Sequence, residues 1–137
     1  TFELKQIFSK VFPSADIIKT DSTHAEMVKY TTNTFLSVKV SFANEIHQLC
    51  DKLDIDYDKV IEYATYDERL GKSHWSVPGP DGDYGFGGHC FPKDLSALIY
   101  LSEELGTTNN VLKSTKETND TVRNDRDWEK MKGRAII

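Results

Sequence analysis

The sequence predicts an all-α fold, a helical central domain built on one long dimerisation helix. Three observations predict it. A stretch from Thr23 to Leu53 contains neither glycine nor proline, four further segments repeat apolar residues near a 3.6 period, and strand character is confined to two short segments near the ends.

Phe2, Leu4, Ile7, Phe8 and Val11 define a first helix over residues 2 to 11, which Pro13 stops. A brief strand from Ala15 to Lys19 is expected next. One helix and one strand cannot bury each other's apolar faces, so residues 1–20 read as the tail of another domain. Thr23 and Glu26 form a capping box for the long helix. Its first apolar stripe is Val28, Phe35, Val38, Phe42, Ile46, Leu49 and Leu53; Met27, Leu36, Val40 and Ala43 form a second, displaced one. Two apolar faces require a cover on each side, supplied either within one bundle or by a second copy in a C2 dimer.

Asp56 caps a third helix to Ala64, with Val60, Ile61 and Ala64 facing inward, and Tyr66 to Gly71 make a turn that Gly71 closes. Lys72 to His89 hold two prolines and five glycines in eighteen residues, which fits no regular element. Ordered loops of this length are usually functional. After Pro92 the period returns in Leu95, Leu98, Ile99 and Leu101, ending at Gly106. Thr108 opens the last helix, carrying Val111, Leu112, Thr115, Thr118 and Val122, to about Asp127. The closing GRAII reads as the first strand of a further domain.

Composition excludes several functions. The chain of 137 residues carries 17 Lys plus Arg against 22 Asp plus Glu, a net charge of −5, which argues against nucleic acid as a partner. No run free of these charged residues exceeds nine positions, whereas a membrane helix needs about twenty apolar ones. The first residues lack an apolar signal core, so the cytoplasm is the expected location. Apolar residues make up 38%, or about 39% with the six Tyr exchanged for the eight Gly, below the roughly 45–50% of ordinary globular chains on that definition, so a thin core is expected. Two cysteines, Cys50 and Cys90, are too few for a disulfide scaffold, and four scattered histidines give no metal-site spacing.

The segment GFGGHCFPKD, Gly85 to Asp94, concentrates the chemistry. Its glycines let backbone approach a ligand, and Cys90 lies just before a helix that opens near Pro92. A helix N-terminus and Lys93 both favour a thiolate, the nucleophilic form of cysteine. On spacing alone Cys90 is either such a nucleophile or a small buried hydrophobe, and Asp94 either a proton acceptor or a charge match for the helix end.

GFGG followed by Cys, Pro, Lys and Asp resembles the active-site loop of the UDP-glucose/GDP-mannose dehydrogenase family. AEMVKYTTNTF resembles the family's helix with a Lys and an Asn four apart, and YDERLG its short Arg-containing turn. The resemblance covers about Thr20 to Asp127 and, helped by VPGPDG, points to UDP-glucose over GDP-mannose or N-acetyl sugars. It implies that a UDP-hexose is oxidised at C6 to the carboxylate in two NAD-dependent steps, through a thiohemiacetal and a thioester on Cys90. Lys29 and Asn33 would stabilise oxyanions, since an offset of four places them about 40° apart on one helix face. Asp94 would position or activate the hydrolytic water, and Lys93 would support charge nearby. Phe86, Gly87 and Gly88 would line the sugar pocket, and Arg69 would reach the neighbouring subunit's site.

It also implies that residues 1–20 end an NAD-binding domain, 21–130 form the central dimerisation domain, and 131–137 begin a nucleotide-sugar-binding domain. Gly85 and Gly87 start a G-x-G spacing, but Cys90 takes the third position, so no dinucleotide fingerprint is present and the segment alone is expected to be inactive. The residues by themselves leave plainer readings open. Lys29 and Asn33 could be exposed helix positions, Arg69 a surface ion pair and the glycine loop a connector, in a non-enzymatic dimerisation module.

Overall fold

Thirty-two residues without a helix breaker form α2 (Ser22–Leu53), against which the three later α-helices pack. The computed structural model of the chain describes residues 2–131. Asp21, two residues ahead of the expected Thr23, is the N-cap of α2, and its carboxylate accepts from the His24 backbone at 3.0 Å. Aspartate is at least as good a cap as threonine, so the nearer acid displaces the expected Thr23 and Glu26 box. Asp54, in the left-handed region, ends the helix.

The face that α2 presents to α4 (Cys90–Glu104) and α5 (Asn110–Val122) is small and polar. Thr34, Ser37, Ser41 and Asn44 are buried there. Each hydroxyl has a backbone acceptor: Tyr30 for Thr34, Asn33 for Ser37, and Thr115 on α5 for Ser41 at 2.9 Å. Satisfied groups of this size cost little to bury and let the helix backbones approach closely. The apolar stripe expected to be covered is, within this chain, largely uncovered: Phe35, Phe42, Leu49 and Leu53 are exposed. Of the displaced stripe, Ala43 is fully buried and Leu36 and Val40 partly so, while Met27 is exposed.

α3 (Tyr57–Ala64) begins after the Asp56 cap as expected. Val60 and Ile61 pack with Ala43, Cys50, Tyr57 and Val77 in a small core, while Ala64 is exposed, contrary to expectation. The Tyr57 hydroxyl donates to the Trp75 carbonyl at 2.6 Å, and burial, aided by the Asp58 charge, pushes its pKa up to about 12. α1 (Phe2–Val11) matches its expected bounds and has no buried residue.

The expected strand from Ala15 to Lys19 does not form; the segment is irregular, and among the described residues no strand is present to pair with it. The GRAII segment lies outside the described residues. No helix among the described residues is long and apolar enough to cross a membrane.

α5 ends at Val122, short of the expected Asp127, because the next residue turns extended and its side chain is drawn into the loop. Arg123 lies 2.7 Å from Asp81 and 3.4 Å from Asp83. Asp83 in turn accepts from the backbone of Asp125 at 2.9 Å and of Asn124 at 3.2 Å, and from the Asn124 side chain at 2.7 Å. The Asp125 backbone donor, then the Asn124 side chain, hold the Asp83 carboxyl down at about 2 against its partial burial.

A carboxylate with a depressed pKa contributes stability that is present above its unfolded value, about 3.9, and lost as pH falls through the folded one. Asp83→Ala should therefore lower the unfolding free energy near neutral pH by about 1–3 kcal/mol, the range for removing a charged acceptor from its donors. In urea titrations the gap to the parent chain should stay constant from about pH 7 to 5 and close toward pH 2.

Candidate active site

Four of the residues singled out from sequence converge where α2 meets the first turn of α4. Asp94 is fully buried. Its Oδ2 accepts from Asn33 Nδ2 at 2.6 Å and lies 3.4 Å from Lys29 Nζ, while Lys93 Nζ donates to Oδ1 at 2.5 Å. The offset of four on α2 brings Lys29 and Asn33 to one oxygen. Burial is the largest single influence on Asp94 and would push its pKa up. The Lys93 and Asn33 hydrogen bonds and the charges of Lys93 and Lys29 outweigh it, so the carboxyl sits below its usual range. The bond to Asp94 raises Lys93 in return. A depressed carboxylate with both oxygens engaged is a poor proton acceptor near neutral pH and a strong anchor for the groups around it.

Cys90 opens α4 instead of preceding it, one helical turn before Asp94 and therefore on the same side of the helix. It is an exposed free thiol, with Sγ 3.5 Å from His89 Nδ1. Lys29 is also largely exposed, so a cation and a thiol face solvent above the buried carboxylate.

The backbone leading to Cys90 is fixed at four consecutive residues. Gly85 N donates to Asn44 on α2 at 3.1 Å. Asn119 on α5 pairs with both polar groups of Phe86, accepting from its N at 2.7 Å and donating to its carbonyl at 3.0 Å. Gly87 passes so close to Arg123 that a Cβ there would meet Nη2 at 2.1 Å, and Gly88 N donates to Asp127. Phe86 is buried against Phe91, their rings edge to face at 5.9 Å. Phe86, Gly87 and Gly88 line an open cleft of about 620 Å³, together with Val40, His74 and Pro80 among others.

Arg69 is not brought to this cluster. It sits on a 3₁₀ turn, Glu68–Leu70, with its guanidinium against Asp67 and its side chain 89% exposed. Among the described residues no group of three His, Cys, Asp or Glu is placed to share a metal ion.

Sequence reasoning missed Asn44, Asn119, Arg123 and Asp127. Asn119 had a legible signal: it falls in the inward row of Leu112, Thr115 and Val122, where an amide needs a partner. Arg123 and Asp127 lie beyond the helix end, so no period marks them.

The two ends of the glycine run should respond differently to a methyl group. At Gly85, φ is +64° and a Cβ would meet Asn119 Oδ1 at 2.2 Å; at Gly88, φ is +70° but nothing lies within 4 Å. Gly88→Ala should cost roughly 1–2 kcal/mol, the left-handed penalty alone, and Gly85→Ala clearly more. Thermal or urea unfolding of the two variants checks the order.

Residues 23–121 match the model of the UDP-glucose/GDP-mannose dehydrogenase family, central domain. The UDP-glucose 6-dehydrogenase TuaD of Bacillus subtilis is 37% identical over 109 residues, covering 80% of this chain and 23% of that protein. The UDP-glucose 6-dehydrogenase AglM of Haloferax volcanii is 32% identical over 120 residues, covering 85% and 27%. A solved UDP-glucose dehydrogenase from the hyperthermophilic archaeon Pyrobaculum islandicum superposes with a TM-score of 0.71 at 33% identity, over 88% of this chain and 27% of that one. The chain thus spans about a quarter of the length of these relatives. With a family match across most of its length and a helical structure like that of a solved member, the chain belongs to the UDP-glucose/GDP-mannose dehydrogenase family, as its central domain.

Proposed function

We propose that the chain serves, within a longer enzyme, as the catalytic-loop and dimerisation domain that oxidises C6 of a UDP-hexose, UDP-glucose foremost, to the carboxylate. The carrying observation is an exposed Cys90 one turn from a carboxylate that gathers Lys29, Asn33 and Lys93, at the end of a loop held rigidly along a cleft. In this reading residues 1–20 close an NAD-binding domain, 21–130 are the central domain, and the chain from Met131 enters the domain that covers the nucleotide. Cytoplasmic residence would keep the thiol reduced.

NAD, as hydride acceptor, would take two electrons in each of two oxidations. In this reading its cradle lies in another domain of the full-length enzyme, since the Gly85, Gly87 spacing ends in Cys90 and leaves the dinucleotide fingerprint incomplete. Calorimetric titration of this 137-residue segment should accordingly show no saturable NAD binding. In the full-length enzyme the balance is one CH₂OH, two NAD⁺ and one water giving one carboxylate, two NADH and three protons.

This chain's residues act on the sugar. The Cys90 thiolate would add to the C6 aldehyde, forming a C–S bond and an oxyanion that Lys29 faces. Loss of hydride from that carbon leaves a thioester, and water breaks the C–S bond to release the acid and the thiol. Asp94 serves in this account by positioning Lys29, Asn33 and Lys93, and through them the hydrolytic water. Phe86, Gly87 and Gly88 would shape the sugar site, with Arg69 reaching the partner's. The uncovered stripe of Phe35, Phe42 and Leu49 fits a homodimer through α2.

In the full-length enzyme, Cys90→Ser should stop NADH formation with UDP-glucose at or before the aldehyde stage, because an alkoxide is far harder to form than a thiolate. Lys29→Ala should lower kcat by at least about 10²–10³, the usual loss for one preorganised oxyanion donor, with substrate binding largely kept. Near parental turnover by Cys90→Ser would overturn the mechanism. Phe42→Asp should shift the sedimentation mass from dimer toward monomer, since it puts a charge into the contact. An unchanged mass would remove α2 as the interface.

A further inference from the structure

Lys39 is a buried charge that the mechanism above does not use, and unlike Arg123 it has no carboxylate partner among the described residues. It sits at the middle of α2 with 9% of its surface exposed. Its ammonium instead donates to two successive carbonyls, Leu70 at 2.8 Å and Gly71 at 3.2 Å, and lies 4.7 Å from the centre of the Trp75 ring. Those carbonyls end the 3₁₀ turn that carries Arg69. Trp75 reinforces the same point, because its indole Nε1 donates to the Gly71 carbonyl at 2.8 Å. Burial lowers the Lys39 pKa, as expected for a cation held without a counter-ion.

Burying a lysine without an acid partner is costly, and a neutral side chain of similar length would fill the same space. What the ammonium supplies here, and an apolar side chain cannot, is a donor to each of the two carbonyls, and therefore a fixed turn. The turn lies beside the uncovered face of α2: the Trp75 ring that covers Lys39 also packs edge-on against the exposed Phe42 at 6.3 Å. Arg69 projects from this turn into solvent, its guanidinium against Asp67.

We propose that Lys39, with Trp75, is a positioning residue that sets the Glu68–Leu70 turn so that Arg69 enters the active site of the partner subunit. The proposal rests on the dimeric, Cys90-dependent reading above and adds a direction to it. Loss of Lys39 damages the other protomer's site, not its own.

That direction is testable by complementation in the full-length enzyme. Lys39→Met keeps the length of the side chain and removes its donors; alone it should lower kcat/KM for UDP-glucose about tenfold or more while remaining a dimer of parental helicity. Mixed with a large excess of Cys90→Ser, each Lys39→Met protomer gains a partner with an intact turn. Its activity per Cys90 should then rise to that of the parental enzyme diluted into Cys90→Ser in the same way. Trp75→Phe keeps a ring over Lys39 and loses the indole donor, so a smaller defect with the same recovery is expected, which guards against a Lys39→Met protein that fails to fold. Arg69→Ala is the control.

Recovery of Arg69→Ala without recovery of Lys39→Met or Trp75→Phe would overturn the role of Lys39 and leave the enzymatic reading intact. So would parental kcat/KM in both variants alone. No recovery of Arg69→Ala would overturn the trans arrangement, and Lys39's role with it. Turnover by Cys90→Ser alone would overturn the enzymatic reading itself.

Discussion

The buried Asp94 carboxylate is the interaction on which the candidate site depends. An anion with no exposed surface is tolerable only when cations and donors surround it, and here they come from two helices: Lys29 and Asn33 from α2, Lys93 from α4. The same contacts that satisfy the charge therefore fix the crossing of the two helices. They also bring an exposed cation over the start of α4, where Cys90 stands. Structure and chemistry share one constraint.

A second set of polar contacts fixes the loop that precedes Cys90. Asn44, Asn119, Arg123 and Asp127 each engage the backbone or the space at one of four consecutive residues, Gly85 to Gly88. A segment rich in glycine loses much freedom on ordering, so it stays in one conformation only when its backbone groups have partners of this kind. The thin apolar core is consistent with this division of labour: side-chain amides, a guanidinium and carboxylates hold what apolar packing does not.

The helices were largely legible in the sequence because period, caps and breakers act locally. α1 and α3 fall at their expected bounds, and the loop from Lys72 to His89 is irregular as its prolines and glycines require. The errors have local causes too. A strand at Ala15 to Lys19 has β character but no partner, and α5 stops early because Arg123 is drawn to Asp81 and Asp83. Which stripe of α2 faces inward was not legible, since serine, threonine and asparagine on the inner face carry no hydropathy signal. Within the site, the roles of Lys29, Asn33, Lys93 and Asp94 stood out only through the family resemblance; their spacing alone fits ordinary surface positions equally well. The burial of Lys39 could not be read, because it depends on a turn thirty-odd residues away.

The central claim is that Cys90 forms the covalent bond to the sugar. Rapid acid quenching of the full-length enzyme during turnover of UDP-glucose with NAD, followed by peptide mass spectrometry, examines it most directly. The account predicts an acyl adduct of the oxidised nucleotide sugar on the peptide containing Cys90, lost on mild treatment with hydroxylamine. Steady product formation with Cys90 unmodified, or with the adduct on another residue, would contradict it.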